Sequence, residues 1–386
     1  MIPGLRWCLV GWIGLVLLML GPALFGVLPA MFAGEVVDPS ELGFRGDRVA
    51  WTTIIWAGGI ATISMLIGWG PGRRMARGSS VVLQSACLVP LMLPPALLFD
   101  AWWLEVGPDS VLGGAAVRAD LVPELRRLIL GMGLVCFAWP ITTWIIVACG
   151  TDASADLIAI DAPPRWRRLR LAVQRDRRPL LLGWLATFGI LSTLTVPFDL
   201  AQVRTWGFEL RTLDAQGASA ATVLSAGLPS LLIAMIIGVL AGTLIARGPN
   251  HRGRREDRRG GWWTIVVLGA LLVLPLGLLA KRAWYADIPA MLQVHGDAIL
   301  NSGLILLVAA ILGGFLAAGL SALIACTRRG RGFGAVILGS FAMTALLPAT
   351  LVAVGVESVW NHEATSAIYD GPVALLLAVS ARVGIA

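Results

Sequence analysis

The chain has 386 residues, 57% of them hydrophobic and only 14% charged, with a formal net charge of +7. A water-soluble domain needs more surface charge than that, whereas helices facing lipid do not. The positive residues are nearly all arginine (Lys281 is the one lysine) and cluster between apolar runs, which points to membrane topology and away from nucleic-acid binding.

A helix crossing the membrane needs about 20 mostly apolar residues to traverse about 30 Å of hydrocarbon. By that test ten spans are predicted, at 9–32, 51–70, 81–104, 128–149, 180–198, 219–246, 262–280, 299–326, 333–356 and 371–386. The first is expected to be an uncleaved span, because its apolar run beyond Arg6 is longer than the core of a signal peptide. The five cysteines (Cys8, Cys87, Cys136, Cys149, Cys326) lie in or beside apolar runs without paired spacing. They read as small apolar residues, not as a disulfide framework or a zinc site.

If the N-terminus is cytoplasmic and sidedness alternates, 20 basic residues fall in inner segments and 9 in outer ones, while about 6 acidic residues fall inside and 17 outside. Every inner loop then carries more arginine than acid, as the positive-inside rule requires. The chain also repeats itself. Pro22 and Pro275, Arg73 and Arg328, and Pro94 and Pro348 are each separated by about 254 residues. The expectation is an all-α polytopic protein in two parallel six-span repeats, the second incomplete. The first half covers 1–246, a charged cytoplasmic linker covers 247–261, and the second half covers 262–386.

Small residues recur at four-residue spacing in the eighth span (Ala309, Gly313, Ala317, Ser321, and alongside them Ala310, Gly314, Ala318, Ala322) and in the sixth (Gly238, Gly242). Such ridges let helix backbones approach closely in lipid. Prolines within the spans predict kinks. Pro94, Pro348 and the intramembrane carboxylate Asp100 are therefore candidate pathway residues. Tryptophans at span ends, among them Trp51, Trp69 and Trp262, fit an interfacial belt.

The longest polar interruption is 151–179, TDASADLIAIDAPPRWRRLRLAVQRDRRP, with seven arginines. A first helical piece, Asp152 to Asp161, is broken at Ala162-Pro163-Pro164, and a second helix starts there. In it Trp166, Leu169 and Val173 form one apolar stripe among arginines. Pro179 is expected to end that helix and open a new span. Physics alone leaves two readings, a membrane-surface helix or a docking site for a cytoplasmic partner.

This stretch resembles the EAA loop of ABC-importer permeases, the inner-membrane components of binding-protein-dependent transport. Asp156-Leu157-Ile158 stands at the Glu-Ala-Ala position, Asp161 matches the usual Asp, and Ala162 replaces the following Gly. Trp166-Arg167-Arg168 and Arg178-Pro179 match well. Leu157, Ile158, Ala162 and Gln174-Arg175 depart from the pattern. The doubled layout resembles the fused permeases associated with iron(III) and similar substrates.

The resemblance implies a multi-pass protein of the bacterial inner membrane in which 151–179 is a coupling loop seated on cytoplasmic ABC ATPase subunits. Substrate would come from an extracytoplasmic binding protein, and ATP would be bound by the partner subunit, with no cofactor in this chain. Consistent with that, Lys281 lies between Ala280 and Arg282, so no phosphate-binding Gly-Lys-Ser/Thr loop is present in the sequence. A second coupling loop is expected near residue 410, past the last residue here, so the second half reads as truncated. The rival readings are an ion-coupled secondary transporter of twelve-span type and a membrane scaffold without transport activity.

Overall fold

The computed structural model describes residues 12–22, 26, 36–76, 81–108, 110–149, 165–246, 261–326, 328–361, 365 and 371–383. Among them every long element is a helix, and no strand forms. Five helical stretches are long and apolar enough to cross a membrane, or up to seven if each of two bent pairs counts as one span. The chain thus has the character of a multi-pass membrane protein.

The residues divide into two compact units. The first comprises 1–49, 206–247 and 287–386, and the second comprises 50–205 and 248–286. Each draws on both sequence halves.

The second unit begins with α2 (Gly46–Ala76) from Ala50 onward. It continues with α3 (Val81–Met92), α4 (Pro95–Val106), α5 (Val111–Arg118), α6 (Val122–Cys149), α7 (Arg165–Thr193) and α8 (Val196–Leu200). Then come α11 (Gly261–Leu268), a π turn (Gly269–Val273) and α12 (Leu274–Trp284). Its core packs Ala57, Ile60 and Ala61 of α2 against Leu130, Leu134 and Ala138 of α6, Phe188 and Leu191 of α7, and Phe99 of α4.

Lipid removes the hydrophobic incentive for helices to associate, so close backbone contact has to hold them. Glycine provides it here. A Cβ on Gly183 of α7 would sit 2.9 Å from Thr142 Cγ2 of α6, and one on Gly133 of α6 would sit 3.0 Å from the Phe99 backbone nitrogen of α4. Thr143 Oγ1 adds a buried hydrogen bond across the α2–α6 crossing, donating to the Gly68 carbonyl at 3.1 Å.

The π turn explains how the seventh predicted span tolerates Pro275. A proline lacks the N–H that would bond four residues back. Instead the helix widens just before it, and the Leu274 N–H bonds five residues back to the Gly269 carbonyl. The kink expected at Pro275 is absorbed, and 264–281 counts as one apolar span.

The first unit holds α1 (Trp12–Pro22), α9 (Trp206–Ala215), α10 (Ala220–Ala246), α13 (Ile288–Cys326), α14 (Arg328–Ala345), α15 (Ala349–Trp360) and α16 (Pro372–Val383). Trp12, Val16, Met19 and Leu20 of α1 form a core with Leu316 of α13, Ile337 and Phe341 of α14, and Leu377 of α16. Here too the close contact is glycine on glycine. A Cβ on Gly238 of α10 would meet the Gly339 carbonyl of α14 at 2.6 Å, and one on Gly339 would meet the Gly238 carbonyl at 2.9 Å. Of the two predicted small-residue ridges on α13, Ala309 and Gly313 are buried, while Ala310, Gly314 and Ala318 are exposed.

The elements differ from the sequence reading in three places. α7 runs unbroken through Pro179, so the amphipathic helix and the fifth predicted span are one element. The proline removes a single backbone bond, and the two sides continue in line. α9 and α5 fill connections that read as plain outer loops; α9 is amphipathic, burying Gly207, Leu210 and Leu213. α13 starts at Ile288, upstream of the predicted 299, and its 39 residues extend about 58 Å at 1.5 Å per residue.

Candidate functional site

The site expected from sequence is the arginine-rich stretch before the fifth span. Asp156, Leu157, Ile158, Asp161 and Ala162 lie outside the described residues. Trp166, Arg167 and Arg168 fall in the first turns of α7. Trp166 is 77% exposed and Arg167 and Arg170 are exposed. Val173, two turns on from Trp166, is 43% exposed. Trp166 thus stands outward on the helix among guanidinium groups, as Trp51 and Trp284 stand exposed elsewhere in the chain.

Ten residues beyond Trp166 the same helix changes character. Asp176 sits in the run Arg175-Asp176-Arg177-Arg178, yet it is only 4% exposed, because this face of α7 turns onto α2. Trp69 Nε1 donates a hydrogen bond to Asp176 Oδ2 at 2.8 Å. Arg73 Nε lies 3.3 Å from the same oxygen. The Arg73 guanidinium also stands 5.8 Å from the centroid of the Trp69 ring, within cation–π range. One carboxylate thus binds a cation and an indole N–H on α2, and the cation also lies over the indole, closing a triangle.

The triangle has a mechanical meaning. Trp69 and Arg73 are one helical turn apart at the end of α2, so a carboxylate reaching both fixes α7 against α2 in rotation and in height. Charge-assisted bonds with little exposure resist screening far more than surface pairs do. A force applied at Trp166 therefore reaches α2 through a continuous helix and a pinned joint.

Sequence reading missed this triangle. It counted Asp176 as one of the few inner acids and Trp69 as an interfacial ring. The available signal was a single carboxylate embedded in three arginines, together with a tryptophan one turn from an arginine. Nothing in sequence pairs positions 107 residues apart.

The candidate pathway residues occupy matched breaks. Pro94 caps α4 with φ −54° and ψ 131°, and α3 and α4 meet there at 83°. Pro348 caps α15 with φ −52° and ψ 141°, and α14 and α15 meet there at 110°. In each case a proline forces the residue before it out of helical backbone. Asp100 is half-buried on α4, between buried Phe99 and Ala101. The triangle on α7 and the Pro94 break belong to one unit and the Pro348 break to the other.

No protein family, curated protein or solved structure matches this chain.

Proposed function

We propose that the chain is the membrane-spanning permease of an ATP-driven importer in a bacterial inner membrane, with its N-terminus cytoplasmic. In this reading it forms the translocation path, takes substrate from an extracytoplasmic binding protein and is driven by separate cytoplasmic ABC ATPase subunits. The observation that carries it is α7. An exposed tryptophan and arginines begin a helix that enters an apolar segment without interruption and is tied to α2 at Asp176. That is the shape of a lever, with a docking end and an anchored end.

Chemical work enters where the partner grips 151–170. Closure of two ATPase subunits moves the docking end, and α7 transmits the displacement to α2 at Trp69 and Arg73. Rocking between inward-open and outward-open states follows as a shift between two packed arrangements. The near-identical backbone at Pro94 and Pro348 supports two parallel repeats, each with one broken helix.

Pull-down of the candidate ATPase subunit with the purified chain tests the docking end. Asp156→Arg and Trp166→Ala are expected to weaken retention at least tenfold, since a central buried tryptophan at an interface is typically worth about 2 kcal/mol or more. Unchanged retention in both variants removes the coupling reading. Uptake into vesicles that persists without ATP but collapses with the ion gradient would instead make the chain a secondary transporter.

A further inference from the structure

Within the second unit a groove of about 640 Å³ runs along the helices, lined on one side by α2 and on the other by α6, with the π turn at its base. Two glycines create it. Gly59 on α2 has nothing within 4 Å of where a Cβ would stand, and Gly131 on α6 has only the edge of Trp56, at 4.0 Å. Larger residues at both positions would fill the groove. The rim is open, with Ile55 66%, Ile63 50% and Leu128 61% exposed.

Its lining is apolar except for one residue, Arg127, at the groove's end near the start of α6. The neighbouring Arg126 turns away from the groove, its guanidinium 5.1 Å from the centroid of the Trp103 ring, so Arg127 is the groove's one charged lining residue. Glu124 reaches Arg127 only at 3.6 Å, with both side chains more than half exposed, a pair too solvated to neutralise the site.

Size and charge together select the occupant. A transmembrane helix is a cylinder about 10 Å across and about 30 Å long, roughly 2,400 Å³, far more than the groove holds. A sixteen-carbon acyl chain, taking about 30 Å³ per carbon, as a liquid water molecule does, fills roughly 480 Å³. An apolar trough ending in an exposed arginine fits a lipid tail whose phosphate meets the guanidinium group. The π turn belongs to the same design, because widening the helix brings Ala270 and Leu271 into the groove wall. We infer that this groove is a binding site for one anionic phospholipid, its acyl chain between Gly59 and Gly131 and its phosphate on Arg127.

The test is native mass spectrometry of the full chain released from bilayer discs. The discs contain equal phosphatidylglycerol and phosphatidylcholine with the same acyl chains. The expected result is one lipid retained per chain, with phosphatidylglycerol favoured at least fivefold. Gly59→Leu and Gly131→Leu, both gains in helix propensity, should lose the retained lipid at unchanged helical content. Arg127→Gln should keep one lipid and lose the preference for the anionic one. Equal retention in the leucine variants overturns the site, as does a wild-type chain that emerges free of lipid. A dimer that disappears in the leucine variants also overturns it, because the occupant is then a second copy of the chain.

Discussion

Asp176 is a buried carboxylate in a stretch that otherwise repels cations from one another. Its side chain is 5% exposed and Arg73 is 24% exposed, so water does little to replace either partner. Removing one member of such a pair leaves the other charge without compensation, at a typical cost of about 3–5 kcal/mol. Asp176→Leu should therefore lower the melting temperature of the purified chain markedly. Asp176→Asn keeps an acceptor for Trp69 and loses only the charge, so its drop should be smaller, and Trp69→Phe should cost about 1 kcal/mol, the usual net worth of one hydrogen bond. Equal melting of the leucine and asparagine variants would mean that the hydrogen bond from Trp69 adds nothing beyond the charge. On the proposed importer reading, the leucine variant should also retain the ATPase subunit while uncoupling hydrolysis from uptake, because Trp166 is untouched and the tie to α2 is gone.

At the scale of the elements, what the sequence made legible followed from local stereochemistry. Proline constrains backbone at its own position and the one before it, so kinks were expected at every proline within a span; breaks form at Pro94 and Pro348, while Pro90 and Pro140 lie within continuous helices. Tertiary packing decided the rest. Whether Pro179 ends a helix depends on what lies on either side, and here α7 continues. The Asp176 triangle and the groove between Gly59 and Gly131 arise from elements remote in the chain, and no period or motif announces them. Of the candidate coupling residues, Trp166 and Arg167 can be placed at the surface, while 151–164 lies outside the described residues.

The two breaks differ in how firmly they are built. At the first, Leu93 precedes Pro94 and Pro94 precedes Pro95, so two consecutive residues are pushed from helical backbone. At the second, only Leu347 precedes a proline, since Ala349 follows. Pro348→Ala should then let α14 and α15 join into a straighter helix, whereas Pro94→Ala, with Pro95 still in place, should leave the first bend intact. Spin labels at Val336 and Glu357 report the outcome. Their separation should lengthen in Pro348→Ala, because opening a 110° bend moves the two ends apart. An unchanged distance would show that packing, not proline, sets the second bend.

For the whole molecule, the number of crossings turns on where apolar runs are interrupted. Ten runs pass a composition test, yet five described helices pass one of length and charge together, or seven with the bent pairs. Orientation is a separate matter that arginine counts address and helix geometry does not. The proposed cytoplasmic N-terminus makes opposite predictions for Lys281 and Cys149. Lys281, the single lysine, is 58% exposed at its side chain and bonds Glu105 of α4 through both carboxylate oxygens, at 2.9 and 3.0 Å. The orientation places it outside, so a membrane-impermeant amine reagent should modify it in intact spheroplasts. Glu105→Gln should quicken that reaction severalfold, because the carboxylate that engages the ammonium through two bonds is then gone. Cys149, exposed at the other end of its helix, falls inside. In a variant keeping Cys149 as its one cysteine, an impermeant maleimide should react in inverted vesicles and not in spheroplasts. The reverse pattern at both positions would turn the molecule over and put Trp166 and its arginines on the wrong side for any ATPase. The importer reading therefore stands or falls on these two labels before any transport is measured.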